Sequence, residues 1–501
     1  MVDNLCITIN MKKFLVCLLS ITCIFIFIGC KKKDDILSLS KNLTEYKIEM
    51  NLNTENKTAD VKQKIDYINS TNSILKNLKL HLYVQNFREG ATESVISSTK
   101  LNTAYPNGMS YSKFEINRLR IENQDTTIVY ENDYDSILSI DLINSLMPDE
   151  RILIELEYSF TIPNCYHRFG FGDNTINLAN FYPIMCVYEN GAFNTNGYNA
   201  NGDPFYSEMA NYCVDIITDN QYVVAGTGEK KTINFENNLI KTSFKANLVR
   251  DFAMVVSNKF EVISKTSENT KVEYYYFNDE QAETNLNTGI DAIKTFSKLF
   301  GSYPYSTFSI VKTDFGHGGM EYPNLIMISS SIENEDDYKN VIIHETAHQW
   351  WYAMVGNDEF TYPWLDEGLT EFSTLLFYDN NEGYNLNHKD MIDASKSNYT
   401  LFITVYEDVL GKIDTSMRAV DQYPTEPEYT YCTYVKGVLM FESLYQLVGK
   451  DKFIKSLKEY FATNKYTNTT PDKLISSFET ICKQNLNSFF DSWTTGKVVI
   501  R

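Results

Sequence analysis

His344-Glu345-Thr346-Ala347-His348, followed by Trp364-Leu365-Asp366-Glu367-Gly368, is the stretch on which the reading of this chain turns. Two histidines four residues apart fall one turn apart on the same face of a helix, so both imidazoles can reach a single ion. Val341, Ile342 and Ile343 before the pair, and Trp350, Trp351, Met354 and Val355 after it, supply an apolar helical face. Asp336 or Asp337 is expected to cap this helix and Gly356 to stop it. The rival reading, two buried structural histidines, lacks an account of this setting, so a divalent-metal grip is the better one. Glu345 sits beside the first histidine, placed to meet a water at the ion without itself being a ligand. It is the candidate general base. A catalytic zinc takes three protein ligands and keeps one position open, and Glu367 is the candidate third ligand.

Working outward, 501 residues are enough for two or three domains, each with its own core. A hydrophobic content of 43% with 14% aromatics describes a folded protein rather than a disordered one. The net charge of −20 disfavours nucleic acid and anionic membrane surfaces as partners of the folded part, and suits cationic or amine-bearing ligands. Of nine cysteines, Cys6, Cys17, Cys23 and Cys30 lie near the start and the rest are scattered, with no CxxC pair. Neither a disulfide framework nor a thiolate metal site is expected.

Residues 1–30 read as an export signal: Met11-Lys12-Lys13 is a charged start and the run from Phe14 to Ile28 is apolar. Gly29-Cys30 resembles a bacterial lipobox, with Cys30 the lipidated residue, although Phe27 stands where leucine is commonest. The alternative is an uncleaved membrane anchor. Either way the chain is expected outside the cytoplasm, membrane-tethered as a bacterial lipoprotein at the cell surface or facing the periplasm, with residues 31–44 as the tether. From 45 to 262, period-two segments such as Tyr46–Met50 and Leu78–Val84, separated by turn-forming clusters, predict a β-sandwich or saddle domain.

The remainder, 263–501, reads as mixed α/β and then helical, so the fold class is multi-domain α+β. A strand is expected at Val272–Phe277. A helix then carries Leu286, Ile290, Ile293, Phe296 and Phe300 and stops at Gly301-Ser302-Tyr303-Pro304. Strands at Phe308–Lys312 and Leu325–Ser329 flank Gly318-Gly319-Met320-Glu321-Tyr322-Pro323. Helical patterns follow at about 438–448, 451–464, 471–483 and 486–494, with Pro471 in a first turn.

Taken together, the HETAH motif, the glutamate of WLDEG, Gly318–Pro323 and Tyr434-Val435-Lys436-Gly437 resemble the aminopeptidase N family of gluzincin zinc metallopeptidases, relatives of leukotriene-A hydrolase. Weaker echoes are Arg250-Asp251-Phe252-Ala253 and Phe489-Phe490-Asp491-Ser492-Trp493, and the likeness runs from about 45 to 495. It implies a thermolysin-like catalytic half in which His344, His348 and Glu367 bind one Zn2+ per chain and Glu345 is the base. It further implies that Gly319, Met320 and Glu321 bind substrate, Glu321 holding a free α-amino group, and that Tyr434 stabilises the oxyanion. The partners would be peptides with a free N-terminus. Glu371, on the same helical face as Glu367, is a candidate partner for a ligand histidine.

Two departures from the family stand out. Tyr322 occupies the place of an asparagine, and the chain ends where the catalytic domain ends, so a more open site without the C-terminal helical domain is expected. A second amine contact is sought within Phe181–Gly228, where Glu189 and Glu208 are the candidates. His317 is a candidate for the pocket wall, and His81, His167 and His388 are given no role. The competing functions are a thermolysin-like endopeptidase and a catalytically inactive surface binding protein.

Overall fold

Thr44–Asn53 shows how alternation builds the first half: Tyr46, Ile48, Met50 and Leu52 point inward while the residues between them face solvent. This strand pairs antiparallel with Thr58–Ile68 and parallel with Ala210–Asp219, at the middle of an eight-stranded sheet. The computed structural model describes residues 35–91, 95–131, 135–235, 238–411 and 413–500. Among the described residues, two four-stranded sheets and a two-stranded hairpin, Tyr188–Glu189 with Ala192–Phe193, complete the β-rich half. One four-stranded sheet contains Ile176–Ala179 and Ala253–Ser257, the other Leu75–His81 and Ile137–Leu146. The expected strand at Leu78–Val84 ends at His81, because Tyr83–Phe87 tightens into a buried 3-10 turn.

Cys30 and the export signal lie outside the described residues. The stretch expected to be a tether carries one turn of helix, Ile36–Leu39, and Asn211 Nδ2 donates to Ser40 O at 2.8 Å, so the ordered fold begins earlier than residue 45. Among the described residues no helix is long and apolar enough to cross a membrane.

The second half opens on a five-stranded sheet in the order Glu261–Ser267, Thr270–Tyr276, Thr307–Thr313, Leu325–Ser329, Gly319–Met320. Its last strand runs antiparallel to Leu325–Ser329 and delivers Glu321 to the site. Helix Ala282–Leu299 packs against Glu335–Ala347, and helices Pro363–Tyr378, His388–Leu410, Lys436–Val448, Lys450–Asn464, Pro471–Cys482 and Asn487–Thr494 follow. The architecture is the expected one, β-rich and then mixed and helical.

Two details of the metal-site helix differ from expectation. Its cap is Asn334, whose side chain accepts from the amides of Asp336 and Asp337. It ends at Ala347 with His348 as the capping residue, well before Gly356. Trp350 and Trp351 are buried completely or nearly so, their indole nitrogens donating to Gly301 O and Ser373 Oγ, and Tyr352 takes a φ of 133° that no helix contains. Burying both indoles outweighs continuing the helix. Val355–Asn357 becomes a short strand beside Thr467–Thr469. Helix His388–Leu410 was not foreseen; its outer face leaves Leu401, Val405 and Val409 exposed, so its pattern in sequence is blurred.

Arg250, from the Arg250–Ala253 motif, rivets the halves together. Fully buried, it donates from Nε to Tyr352 O at 2.7 Å, from Nη1 to Ser207 O at 2.8 Å and from Nη2 to Thr467 O at 2.8 Å. Asp251 accepts from the Tyr352 hydroxyl at 2.5 Å.

Candidate metal centre and substrate cavity

His344 Nε2, His348 Nε2 and Glu367 Oε2 converge, with separations of 3.2 Å between the imidazoles, 3.4 Å from His344 to Glu367 and 3.3 Å from His348 to Glu367. Ligands bonded to zinc at about 2.0–2.1 Å with tetrahedral angles stand roughly 3.3 Å apart. The donor set therefore fits the ion that its chemistry calls for. Glu367 Oε2 is buried and accepts no hydrogen bond, which is expected of an atom reserved for a cation.

The outer faces of both imidazoles are held. His348 Nδ1 lies 2.9 Å from Trp351 O and 3.2 Å from Thr370 Oγ1, and His344 Nδ1 lies 3.3 Å from Glu371 Oε1. Such contacts choose the tautomer that leaves Nε2 free for metal. The early end of the helix is what makes the first contact available: in a continuing helix, Trp351 O would point away from His348.

Glu345 is buried, its Oε2 accepts no hydrogen bond, and burial pushes its carboxyl up to about 7 against the pull of the two histidines. Gly319 lies against it so closely that a Cβ there would come within 2.3 Å of Glu345 Oε1. Only glycine allows that edge strand to pass.

Tyr434 sits on a single wide turn, Tyr431–Val435, and its hydroxyl donates to Glu367 Oε1 at 2.5 Å. Two motif glycines set this up. A Cβ on Gly368 would stand 3.0 Å from Gly437 Cα, and one on Gly437 2.8 Å from Gly368 Cα, so the two backbones touch. Lys436 anchors the turn by donating from Nζ to Thr415 O at 2.6 Å and to Trp493 O at 2.8 Å. Burial lowers its pKa to about 8.

Glu321 is 4% exposed, one of its oxygens accepts no hydrogen bond, and burial raises its pKa well above the carboxylate range despite His348. It lies in one carboxylate cluster with Glu345 and His348, and in another with Asp203 and Glu367, each group's ligand atoms within 4.8 Å of one another. Gln349 secures its loop, donating to Tyr322 O at 3.1 Å and accepting from Asn324 N at 2.9 Å. Tyr322, in the position of the family's asparagine, is buried, and its hydroxyl donates to Asn180 Oδ1 at 2.7 Å. Met320 is buried in the core.

The histidine pair, Glu345, Glu367, Glu371, Glu321, Gly319 and Tyr434 face a cavity of about 460 Å3 between the two halves, whose walls also include Asp203, Arg168, His167 and His317 but not Met320. His317 thus lines the pocket, and burial holds it neutral, lowering its pKa to about 3. Glu189 and Glu208 do not line it. Glu189 accepts from Tyr206 on a hairpin, and Glu208 is exposed beside Ser70. The β-rich half sends Asp203 instead. Its Oδ1 lies 2.5 Å from Arg168 Nη1. Asp203, Arg168 and Gln349 escaped the sequence reading, although Asn201-Gly202-Asp203-Pro204 is a turn-rich run flanked by aromatics that could have drawn attention to the first.

Comparison with known proteins places this geometry. Residues 284–493 match the peptidase family M1 domain. Aminopeptidase 2 of Candida albicans is 21% identical over 58% of this chain and 33% of its own length, and human endoplasmic reticulum aminopeptidase 2 is 24% identical over 55% and 30%. The chain spans about a third of the length of these curated relatives. An M1 zinc metallopeptidase from Deinococcus radiodurans superposes with a TM-score of 0.63 over 92% of this chain and 95% of that one, at 16% identity. A mutant form of it bound to a Tyr-Ser-Ala substrate gives 0.64. The motifs, the matched domain and the superposition agree: residues 284–493 match the M1 peptidase domain, and the chain has the fold of the M1 zinc metallopeptidases.

Proposed function

We propose that this chain is a zinc-dependent aminopeptidase that removes N-terminal residues from peptides. The observation that carries the proposal is the pair of acidic groups, Glu321 and Asp203, on the buried wall beside the metal triad. A carboxylate pair there suits a positively charged N-terminus and offers an interior peptide segment nothing, which favours exopeptidase over endopeptidase action.

His344, His348 and Glu367 would hold one Zn2+ per chain. When bound, the ion polarises the scissile carbonyl and makes water a better nucleophile near neutral pH. Glu345 then takes the proton of the attacking water and passes it to the leaving nitrogen as the C–N bond breaks. The Tyr434 hydroxyl, aimed at the triad, donates to the oxygen that gains charge in the transition state. Glu371 and Trp351 O keep the imidazoles oriented. The test is turnover of an aminoacyl fluorogenic amide and its N-acetylated form by the native protein and by Glu321→Ala. Expected is a fall in kcat/KM of roughly tenfold to a hundredfold confined to the free amine. Equal cleavage of the acetylated substrate by the native protein would establish endopeptidase action instead, and a metal-free, inactive preparation would leave only the binding-protein reading.

We also propose the lipid-tethered, extracytoplasmic location that residues 11–30 suggest. Cell fractionation tests it: Cys30→Ala should move the protein out of the membrane fraction, and an unchanged distribution would reject lipidation at that residue.

A further inference from the structure

Arg168 lines the same cavity at 7% exposure, and no step of the proposed reaction uses it. Its guanidinium carbon lies 4.9 Å from the Phe205 ring centroid and 5.9 Å from that of Tyr198. These rings set its plane, and the contact with Asp203 sets its direction. Burial works against the charge, but Asp203, with Glu321 and nearby tyrosines, outweighs it and keeps the group a cation.

The loop carrying Asp203 is pinned without help from Arg168. A Cβ on Gly202 would meet the Tyr429 hydroxyl at 2.4 Å, and Asn201 Nδ2 donates to Tyr423 O at 3.0 Å. What the loop does not supply is charge balance. Asp203, Glu321 and Glu367 each bring an oxygen within 4.8 Å of the others, and carboxylates so close in a buried wall repel one another. Lys100, the lysine on the cavity rim, is committed to Glu426 at 2.5 Å.

We propose that Arg168 is a positioning residue: with the loop backbone already fixed, it aims the Asp203 carboxylate toward Glu321 and offsets part of the negative charge of that wall, so that the two acids together receive one substrate ammonium. This rests on the aminopeptidase reading. The two fail separately, because that reading is tested on the native protein with acetylated substrate.

Kinetics of three variants on an aminoacyl fluorogenic amide test the role. Arg168→Gln should raise KM about tenfold while kcat stays within about twofold and the zinc content is unchanged. Asp203→Asn should raise KM further, because it leaves the guanidinium unpaired beside the ammonium. Combining the two removes that repulsion, so the double variant should bind better than Asp203→Asn alone. A merely structural ion pair would show its coupling in stability, whereas here the reversal is expected in KM at unchanged melting temperature and zinc content. An unchanged KM in Arg168→Gln, or losses that multiply in the double variant, would overturn the proposal. Should the glutamine variant not fold, Arg168→Lys carries the test. It keeps the charge but loses the flat stack, and is expected to raise KM about threefold; no change would equally overturn the role.

Discussion

The metal centre and the wall beside it are assembled in opposite ways. His344 and Glu345 lie in one helix, His348 caps it and Glu367 comes from the next, so five contiguous residues and one neighbour would carry the ion and the base. The wall takes Asp203 and Arg168 from the β-rich half and Glu321 from an edge strand of the other. Chemistry that needs fixed spacing along a helix is written locally. Recognition that needs charges to face one another across a cleft is written in distant segments, and a buried rivet such as Arg250 brings the two halves together.

The sharpest break of this contrast is Glu345→Gln. It removes the proposed base and leaves the proposed ligands, so kcat should fall by roughly a thousandfold or more with zinc retained, as read by metal analysis beside turnover. Retained turnover would mean that the locally written half is not where the proton moves. Gly368→Ala probes the assembled part. An added Cβ meets Gly437 Cα at 3.0 Å, so the wide turn must shift and the Tyr434 hydroxyl must move off Glu367. Expected is a drop in kcat of about tenfold to a hundredfold at constant zinc content, with a lower melting temperature. Normal kcat would show that the glycine contact does not place the tyrosine.

The smallest effect concerns a histidine outside both regions. His388 Nδ1 lies 3.0 Å from Asp379 Oδ2 and its Nε2 3.0 Å from Glu442 Oε2, linking three helices. Burial opposes its protonation, but the hydrogen bonds to Asp379 and Glu442 outweigh that and raise its pKa to about 9. Since the unfolded value is about 6.5, the stabilisation is complete below about 6.5 and disappears as pH rises through about 9. His388→Gln should therefore lower the melting temperature by about 2 °C at pH 6 and not at pH 10. An equal loss at both would assign His388 to packing, against Phe372 at 5.7 Å, rather than to charge.

The legible parts of this molecule are those whose side chains answer to a period or a spacing. The alternation of Thr44–Asn53, the helix from Ala282 to Leu299, and the ligand triad with Glu371 behind it are of this kind. Continuation of the metal-site helix past His348 was the reasonable local expectation and it failed, because two buried tryptophans outweigh a few backbone hydrogen bonds. Glu189 and Glu208 were reasonable acids in a suggestive segment. Nothing local distinguishes them from Asp203, whose distinction is Arg168 across a fold boundary and a glycine pressed on Tyr429.

Residue order alone decided which atoms could bind a metal and which acid stood next to them, since helix geometry converts a spacing of four into a shared face. Only the packed structure decided where the tyrosine hydroxyl, the two opposed carboxylates and the guanidinium came to rest. Those positions depend on which backbones can touch and which charges can be buried together, and both are properties of the completed interior.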